Sequence, residues 1–449
     1  MYYTRNIDIR HSDALYPYFD RIAHLSANLY NAALFRERQL MSSSKKEGNQ
    51  WFDNEREIRD EVKSVEGVSV PPSGVLCYTA LDKLMKKTNN PDYKAEGLPR
   101  QTAQNTLKHV VRNISSFFEA LKQYQADPSL FTGEPKLPKY KHKGGTASFD
   151  ISNQDCVIYR NKKGEYYAKL PLTKERLKLG KNVPGKLMEV HVIRNNGVYT
   201  VSFVFDDERS QPAVQKKVHR ITAVDLGVNN LMAVTNNCGL ECLIFNGKPL
   251  KSINREYNKR NAGLVSAQTK GKKVKFKPTK QSERVCRKRN NRVHDYMLKS
   301  GKLFVIWCVE NRIDTVVMGS NPFWKQEVNT GHRNNQNFVQ IPFDQLKCII
   351  IWLCERNGIR YVEQEESYTS KASFIDRDKI PVYGEDAVSS FSGKRIRRGM
   401  YQTKDGTEIN ADLNGSANIL RKKYSDAFSC NLDFTNVRYI RHPDIELSK

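Results

Sequence analysis

Residues Ile221–Asn230 decide the fold of the C-terminal half, and they read Ile-Thr-Ala-Val-Asp-Leu-Gly-Val-Asn-Asn. A run of β-branched and apolar residues leads to one carboxylate, Asp225, and a glycine, Gly227, follows it. This pattern predicts a buried strand that ends in an acid, where glycine permits close approach of another backbone. A carboxylate in that position suits a metal ion. The stretch does not identify a function by itself.

The segments that follow Asp225 predict a fold of the RNase H-like type. Their order is three strands, a helical region, a strand, a helix, a strand and a last helix. The predicted elements are Ile221–Val228, Leu231–Thr235, Cys242–Phe245, Leu250–Asn311, Ile313–Met318, Phe343–Asn357, Ile359–Glu363 and Asn414–Lys423. In this fold the first and fourth strands lie side by side. Distant acids are therefore expected to converge on Asp225.

The N-terminal half predicts helices inserted into a small barrel. Tyr2–Arg10 alternates polar and apolar residues as a strand does, and 14–38 has helical spacing. The helix that Arg100 opens has an apolar seam made of Ala103, Leu107, Val110, Ile114, Phe117, Leu121 and Tyr124. Pro135–Lys143 excludes helix. The short alternating segments between 147 and 205 predict an antiparallel β-barrel.

The charge of the chain predicts a nucleic-acid partner. Lysine and arginine number 74 against 49 acids, which leaves a net charge of +25. A large polyanion is the simplest partner for that excess. No apolar run is long enough to span a membrane, Met1–Arg10 is not a secretory signal, and nine scattered cysteines suit a reducing cytoplasm. The charge also argues against an actin-like ATPase or sugar kinase, which would need a second glycine-rich phosphate turn.

The chain offers several candidate catalytic acids. Two-metal hydrolysis of a phosphodiester needs three or four carboxylates around cations roughly 4 Å apart. Asp225 is the first. Asp412 is the second, although an acid before a helix is more simply an N-cap. Gly319 stands where the fourth strand would carry the third acid. The next strand ends in three acids, for which a solvated edge is the plain alternative: Glu363, Glu365 and Glu366.

Five stretches of the chain resemble those of TnpB proteins, the RNA-guided nucleases of bacterial insertion sequences that are ancestral to compact type V CRISPR effectors. The stretches are Ala223–Asn230, Asn321–Gln326, Asn334–Pro342, Glu365–Ser373 and Asn410–Ile419. The resemblance implies a split RuvC site that binds two Mg²⁺ ions, with Mn²⁺ as a substitute. It also implies guide RNA and double-stranded DNA with a short flanking motif as partners.

The same resemblance implies the ligand residues. Asp225, a RuvC-II glutamate and Asp412 would bind the metal ions. Eukaryotic relatives called Fanzor carry a relocated glutamate before a Tyr/Thr-Ser-Lys motif, which points here to Glu366, with Glu365 as the second choice. Many members have a cysteine knuckle after Thr-Ser-Lys, and this sequence has none, so we expect no structural zinc.

The predicted fold class is multidomain α/β, in which an N-terminal β-barrel (wedge) with an inserted helical recognition bundle precedes an RNase H-like RuvC domain with helical and loop insertions. The first barrel strand would span residues 1–12, the recognition insertion (REC) 13–130, and the barrel wedge (WED) 131–217. The RuvC nuclease domain would span 218–449, with a basic helical insertion at 250–312 and a nucleic-acid-binding loop at 367–410.

Nucleic-acid contacts are expected mainly from basic segments. Lys251–Arg292 carries fifteen basic residues against two acids, a pattern that fits phosphate tracking as well as a solvated tip. The basic loop at 392–399 is a second such segment. The candidates are Gln104, Arg112, Lys251, Arg255, Lys272, Lys273, Lys288, Arg289, Arg292, Trp324, Lys325, Tyr368, Ser370, Lys371, Lys394, Arg395, Arg397 and Arg398.

The sequence thus predicts an RNA-guided, Mg²⁺-dependent DNA endonuclease that cuts beside a short flanking motif, in the cytoplasm and nucleoid of a bacterium. Two alternatives stay open. In the first, Gly319 replaces a catalytic acid, and the protein would be an RNA-guided DNA-binding repressor without nuclease activity. In the second, the protein would join DNA strands instead of hydrolysing them and would be a transposase. The guide, the residues that read the flanking motif and the oligomeric state are not predicted.

Overall fold

The computed structural model describes residues 2–46, 50–207, 212, 219–271, 274–321, 340–381, 390–427 and 432–444. The chain divides into two compact units, Met1–Arg209 and Ser210–Lys449, which we call the N-terminal and C-terminal units. The finer domain boundaries given above remain predictions.

The N-terminal unit contains two antiparallel sheets. Its strands are β1 (Tyr2–Ile9), β2 (Phe149–Ser152), β3 (Val157–Arg160), β4 (Tyr166–Lys169), β5 (Arg176–Gly180), β6 (Gly185–Asn195) and β7 (Val198–Asp207). The first sheet has the order β1-β7-β6-β2 and the second β3-β4-β5. The predicted strands are present, and β5 is an addition to them. Closure into one barrel stays a prediction.

Four helices of the N-terminal unit lie between β1 and β2 in the chain, where the sequence predicts a helical insertion. They are α1 (Tyr16–Ser43), α2 (Asp53–Lys63), α3 (Tyr78–Lys87) and α4 (Arg100–Ala126). The apolar seam of α4 is buried from Ala103 to Ile114, where it packs with α1 in one core. Beyond Ile114 the predicted seam is only half-buried.

The C-terminal unit is built on a six-stranded sheet. Its strands are β8 (Ile221–Leu226), β9 (Asn230–Asn236), β10 (Cys242–Asn246), β11 (Thr315–Ser320), β12 (Arg360–Glu365) and β16 (Val437–Ile440), and a small sheet contains β13 (Lys394–Arg397), β14 (Met400–Gln402) and β15 (Glu408–Asn410). The large sheet has the order β12-β11-β8-β9-β10-β16. The predicted adjacency of the first and fourth strands is confirmed, since β8 and β11 pair in parallel.

Helices cover both faces of the large sheet. They are α5 (Lys248–Thr269), α6 (Lys280–Glu310), α7 (Phe343–Arg356) and α8 (Ala411–Lys423). Val224 and Leu226 pack in the core with α5, α6 and α7, whereas Ile221 and Ala223 pack beneath α8. Because side chains of a strand alternate between faces, Asp225 lies on the α8 face.

The predicted helical region at 250–311 is two helices rather than one. The break contains Pro278, and α6 begins after it with a capping box in which Thr279 accepts a hydrogen bond from the Ser282 amide. Within the described ranges, no helix has the length and apolar character needed to cross a bilayer.

Candidate metal centre

Asp225 lies where α8 approaches the sheet most closely. A Cβ atom added to Gly415 would lie 2.7 Å from Asp225 Oδ2, so glycine is the residue that allows this approach. The Ser416 hydroxyl fixes the contact, because it lies 2.9 Å from Ala223 O, to which it donates, and 2.9 Å from Thr235 Oγ1. The sequence Gly415-Ser416 thus sets the depth of α8 on β8.

Asp412 lies in the first turn of α8 and is not its cap. Asn410 is the N-cap, and its side-chain oxygen accepts from the backbone amides of Asp412 at 2.9 Å and Leu413 at 3.2 Å. The Asp412 carboxylate instead accepts from Asn230 Nδ2 at 2.7 Å and from Arg395 Nη2 at 3.4 Å. The simple N-cap interpretation of Asp412 is therefore wrong.

Glu366 occupies the space that a side chain at position 319 would fill. A Cβ atom on Gly319 would lie 2.5 Å from Glu366 Oε2, 2.7 Å from Ile419 Cδ1 and 3.3 Å from Val224 O. Gly319 is the penultimate residue of β11, which pairs with β8 up to Met318, and Glu366 directly follows β12. The glycine at the expected acid position is thus matched by a carboxylate that reaches the same place from the neighbouring strand.

The electrostatic environment of Asp225 includes the other two acids. Burial raises the pKa of Asp225 well above its usual range, and the nearby Glu366 and Asp412 carboxylates raise it further, while Arg395 opposes them. Burial also raises the pKa of Glu366 to about 7; Lys347 opposes this, and Glu365 adds to it. Carboxylates held together below the surface in this way favour a bound cation.

Glu365 has a different environment from Glu366. Its carboxylate accepts from Lys422 Nζ at 2.5 Å and from the Ser367 amide at 2.6 Å. Burial would raise the pKa of Glu365, but the Lys422 ammonium and Ser367 outweigh that effect and lower it. Glu365 is thus neutralised by the protein, whereas Glu366 faces Asp225.

A polar ladder on α8 holds the loop that carries Glu366. Its members are spaced four residues apart, which places them on one face of the helix: Asn410, Asn414, Asn418 and Lys422. Asn414 and Asn418 are fully buried and donate to Ala372 O at 2.8 and 2.7 Å. Asn418 also donates to Thr369 O at 2.9 Å. Sequence reasoning missed this ladder, although its regular spacing was visible.

Several predicted nucleic-acid contacts surround this centre. Lys394, Arg395, Arg397 and Arg398 are all exposed on the hairpin of β13 and β14, and Arg397 pairs with Glu408 at 3.3 Å. Lys251 donates to Asn229 Oδ1 at 2.7 Å. Burial lowers the pKa of Lys251, and the positive charge of Arg398 lowers it further. These cations form a basic rim close to the acids.

The remaining candidates lie in varied settings. Tyr368 has a φ of 65°, and Lys371 Nζ lies 5.8 Å from the centre of its ring, while Ser370 is exposed. On α4, Arg112 is exposed and Gln104 hydrogen bonds to Tyr93.

The candidates on α5 and α6 differ in their ion pairing. Arg255 and Lys288 are exposed, Arg292 pairs with Glu256 at 2.8 Å, and the Arg289 guanidinium binds neutral acceptors. Four further candidates lie outside the described residues: Lys272, Lys273, Trp324 and Lys325.

A second group of potential metal ligands lies in the N-terminal unit. Ligand atoms of Asp150, Glu189 and His191 come within 4.8 Å of one another. The buried Asp150 carboxylate accepts from His109 Nε2 and His191 Nδ1, both at 2.6 Å, and His191 Nε2 lies 3.4 Å from Glu189. Because His191 uses its two ring nitrogens in opposite directions, this is a hydrogen-bonded chain rather than a convergent ligand set.

Comparison with known proteins agrees with this architecture. Residues 202–323 match the family described as OrfB_IS605, probable transposase, and residues 343–419 match the Cas12f1-like TNB domain. The chain is thus similar to TnpB-like transposases in the first stretch and to Cas12f1-like proteins in the second. The first match spans β8 to β11 with Asp225 and Gly319, and the second contains both Glu366 and Asp412.

Two individual proteins extend the likeness over most of the chain. The CRISPR-associated endodeoxyribonuclease Cas12f1 of Sulfoacidibacillus thermotolerans is 20% identical over 376 residues, which cover 76% of this chain and 83% of the relative. The cryo-EM structure of a Cas12f1-sgRNA-target DNA complex aligns with a TM-score of 0.53 at 14% identity and covers 91% of this chain and 83% of that one. The fold of this chain therefore resembles that of the Cas12f1 chain in this complex.

Proposed function

We propose that this protein is an RNA-guided DNA endonuclease whose phosphodiester hydrolysis takes place at Asp225, Glu366 and Asp412. The observation that carries the proposal is the Glu366 carboxylate in the space beside Gly319. It supplies from β12 the third acid that β11 lacks. The nuclease-dead alternative was based on the glycine at 319, and the position of Glu366 supports a nuclease over that alternative.

The donor set suits two Mg²⁺ ions. Hard divalent cations prefer carboxylate oxygens. Burial, with the Glu366 and Asp412 carboxylates, raises the pKa of Asp225 although Arg395 opposes it, and a bound cation would relieve this. When bound, the ions would supply Lewis-acid activation of the phosphodiester and of water. We expect Mn²⁺ to substitute, because it accepts the same oxygen ligands.

The residues around the acids would orient substrate and ligands. Arg395 is exposed and lies 3.4 Å from Asp412, so its planar guanidinium can bind a phosphate beside the acids in two-pronged fashion. Asn230 holds the Asp412 carboxylate, and the α8 ladder holds the segment that carries Glu366. Lys251 and Arg398 add positive charge for the flanking phosphates.

The partners follow from the relatives and from the charge. The related Cas12f1 is an endodeoxyribonuclease, and the solved Cas12f1 assembly contains an sgRNA and target DNA. A net charge of +25 suits the same polyanions. In RNA-guided systems base pairing supplies sequence choice and the protein reads a short flanking motif, and we infer this division of labour here.

Cleavage of a guide-matched plasmid by the purified protein tests the proposal, with RNA that copurifies sequenced to define the guide. We expect cutting with Mg²⁺ that EDTA abolishes and that Asp225→Asn, Glu366→Gln and Asp412→Asn each reduce at least about 10²-fold. Glu365→Gln serves as the matched control and retains most activity. Guided binding without cutting by the unmutated protein would support a repressor instead, and strand joining would support a transposase.

A further inference from the structure

A cleft between α5 and α6 combines an apolar wall with concentrated positive charge. Its cavity has a volume of about 300 Å³. Its apolar lining consists of Ile253, which is buried, and of Tyr257 and Val285, which are half-buried. The charged residues that line the cavity are Arg260, Arg284, Lys288, Arg289, Arg292 and Glu256.

The charges of the cleft do not balance. Glu256 is the one acid among the residues that line the cavity. It pairs with Arg260 at 3.0 Å and with Arg292 at 2.8 Å, which together outweigh its single charge. Arg284 and Lys288 are one helical turn apart on α6 and share a face, and both are exposed. The cleft therefore attracts anions.

Arg289 is oriented in the cleft by three hydrogen-bond acceptors of the described residues, none of which is an acid. Its guanidinium donates to Asn254 Oδ1 at 2.8 Å, to Asn290 Oδ1 at 2.9 Å and to Gln340 O at 2.6 Å. All three acceptors are neutral, so they orient the group and leave its charge uncancelled. Burial lowers the pKa of Arg289. A half-buried, fixed cation of this kind gains from an anionic ligand.

Tyr257 provides a flat surface next to that cation. The Arg289 guanidinium carbon lies 5.8 Å from the centre of the Tyr257 ring. Nucleobases stack on aromatic rings regardless of base identity, and arginines bind the phosphates attached to them. The Tyr257 ring and the Arg289 cation thus lie close enough for the base and the phosphate of one nucleotide to contact both.

We propose that the α5–α6 cleft binds one unpaired nucleotide of a nucleic-acid strand, with its base against Tyr257 and its phosphate between Arg284, Lys288 and Arg289. The inference rests on the proposed function for the source of the strand, which is the guide RNA or the opened target DNA. The sequence alone predicts general contact with phosphates along this segment. The cleft adds to this a defined binding site, or slot, for one base.

Fluorescence anisotropy of labelled oligonucleotides with the full chain, freed of copurified nucleic acid, tests this. The probes are a 12-nucleotide single-stranded RNA, the DNA of the same sequence and the corresponding duplex. Arg284→Gln with Lys288→Gln should lower the dependence of log K on log salt for single strands by about 1.4, or about 0.7 for each lost phosphate contact. Lys302→Gln, on the same helix but outside the cleft, is the control and should bind as the wild type does.

The Tyr257 variants separate a nucleotide from a bare phosphate. Tyr257→Leu should weaken single-strand binding roughly fivefold to hundredfold, while Tyr257→Phe keeps the ring and should bind normally. Thermal unfolding of each variant establishes that the fold is retained. A stronger effect on the RNA probe identifies the guide as the source, and a stronger effect on single-stranded DNA identifies the target.

Three results would overturn the inference. They are equal weakening by the Lys302 control, wild-type affinity of Tyr257→Leu, and equal weakening of duplex and single-strand binding. Failure of the nucleotide-binding inference is distinguishable from failure of the proposed function. If the cleft variants bind oligonucleotides normally and the protein still cuts guide-matched plasmid, only the nucleotide-binding inference is refuted. Conversely, a wild type that never cuts refutes the nuclease while these binding results stand.

Discussion

Substitution of Gly319 tests most directly whether the relocated glutamate is the third metal ligand. A Cβ atom at this position would lie 2.5 Å from Glu366 Oε2, about 0.9 Å short of the 3.4 Å at which ordinary contact begins. Ile419 Cδ1, at 2.7 Å, closes the other side. The flexible end of Glu366 is expected to yield, because the buried Ile419 is packed in the core beneath α8.

The expected effect of Gly319→Ala is a stable but nearly inactive protein. Mg²⁺ demands close to ideal geometry at about 2.0–2.1 Å, and a misplacement of about 1 Å costs roughly 10²-fold in rate. The added methyl group should reduce unfolding free energy by about 1–3 kcal/mol. Single-turnover cleavage of guide-matched plasmid measures the first quantity, and denaturant unfolding measures the second.

A pair of compensating changes makes the test specific. In Glu366→Gly the space beside position 319 is empty, so Gly319→Glu in that background returns a carboxylate to the α8 face from β11. We expect the double variant to cut at least about tenfold faster than Glu366→Gly alone. Wild-type cleavage by Gly319→Ala, or by Glu366→Gln, would refute the assignment of Glu366, and it would then fall to Glu365.

Two further predictions concern groups that hold the fold around the sites. Lys422→Met removes the cation that neutralises Glu365, so the loop after β12 should loosen and the Mg²⁺ concentration for half-maximal cleavage should rise at least about threefold, whereas Lys423→Met, next to it, should leave that concentration unchanged. In the N-terminal unit, Asp150→Asn should cost about 2 kcal/mol of unfolding free energy, because the carboxylate accepts two short hydrogen bonds. The side-chain hydrogen bonds of His109 and His191, with their charges, outweigh burial and hold the pKa of Asp150 far below its usual range, and Asp150 raises the pKa of His191 against burial. The Asp150 contribution is therefore lost as pH falls below about 4, and the His191 contribution is lost as pH rises through its raised folded-state pKa. Urea unfolding of wild type and variant at pH 3, 5.5 and 8 should show the largest difference at pH 5.5, and an equal difference at all three would contradict this linkage.

The C-terminal fold was predictable because its elements have strong local signals. The strand at Ile221 is apolar, the helix at Phe343 has regular spacing, and their order fits one known sheet topology. The strands β13 to β15 were missed because β13 is highly charged, while β14 and β15 have three residues each and show no alternation that could be recognised. The strand β5 was missed because its two buried residues, Leu177 and Leu179, alternate over too short a run.

The site was partly predictable from the sequence. Asp225 and Asp412 each lie in a distinctive stretch, but the pairing of Gly319 with Glu366 depends on the register of β11 with β12, which spacing along the chain does not reveal. The Asp150 cluster was missed for a similar reason, since His109 and His191 are each 41 residues from their acid.

Helix α8 carries Asp412 at its start and the anchor of the Glu366 loop, Lys422, at its end, while Asp225 belongs to the sheet. Sliding this helix would therefore move Asp412 away from Asp225 and at the same time pull on the loop that holds Glu366. Gly415 lies where helix α8 packs closely against Asp225 of the sheet. A small molecule bound there is expected to abolish cleavage while the binding of RNA and DNA is retained. The nuclease would then act as a guided DNA-binding protein that does not cleave.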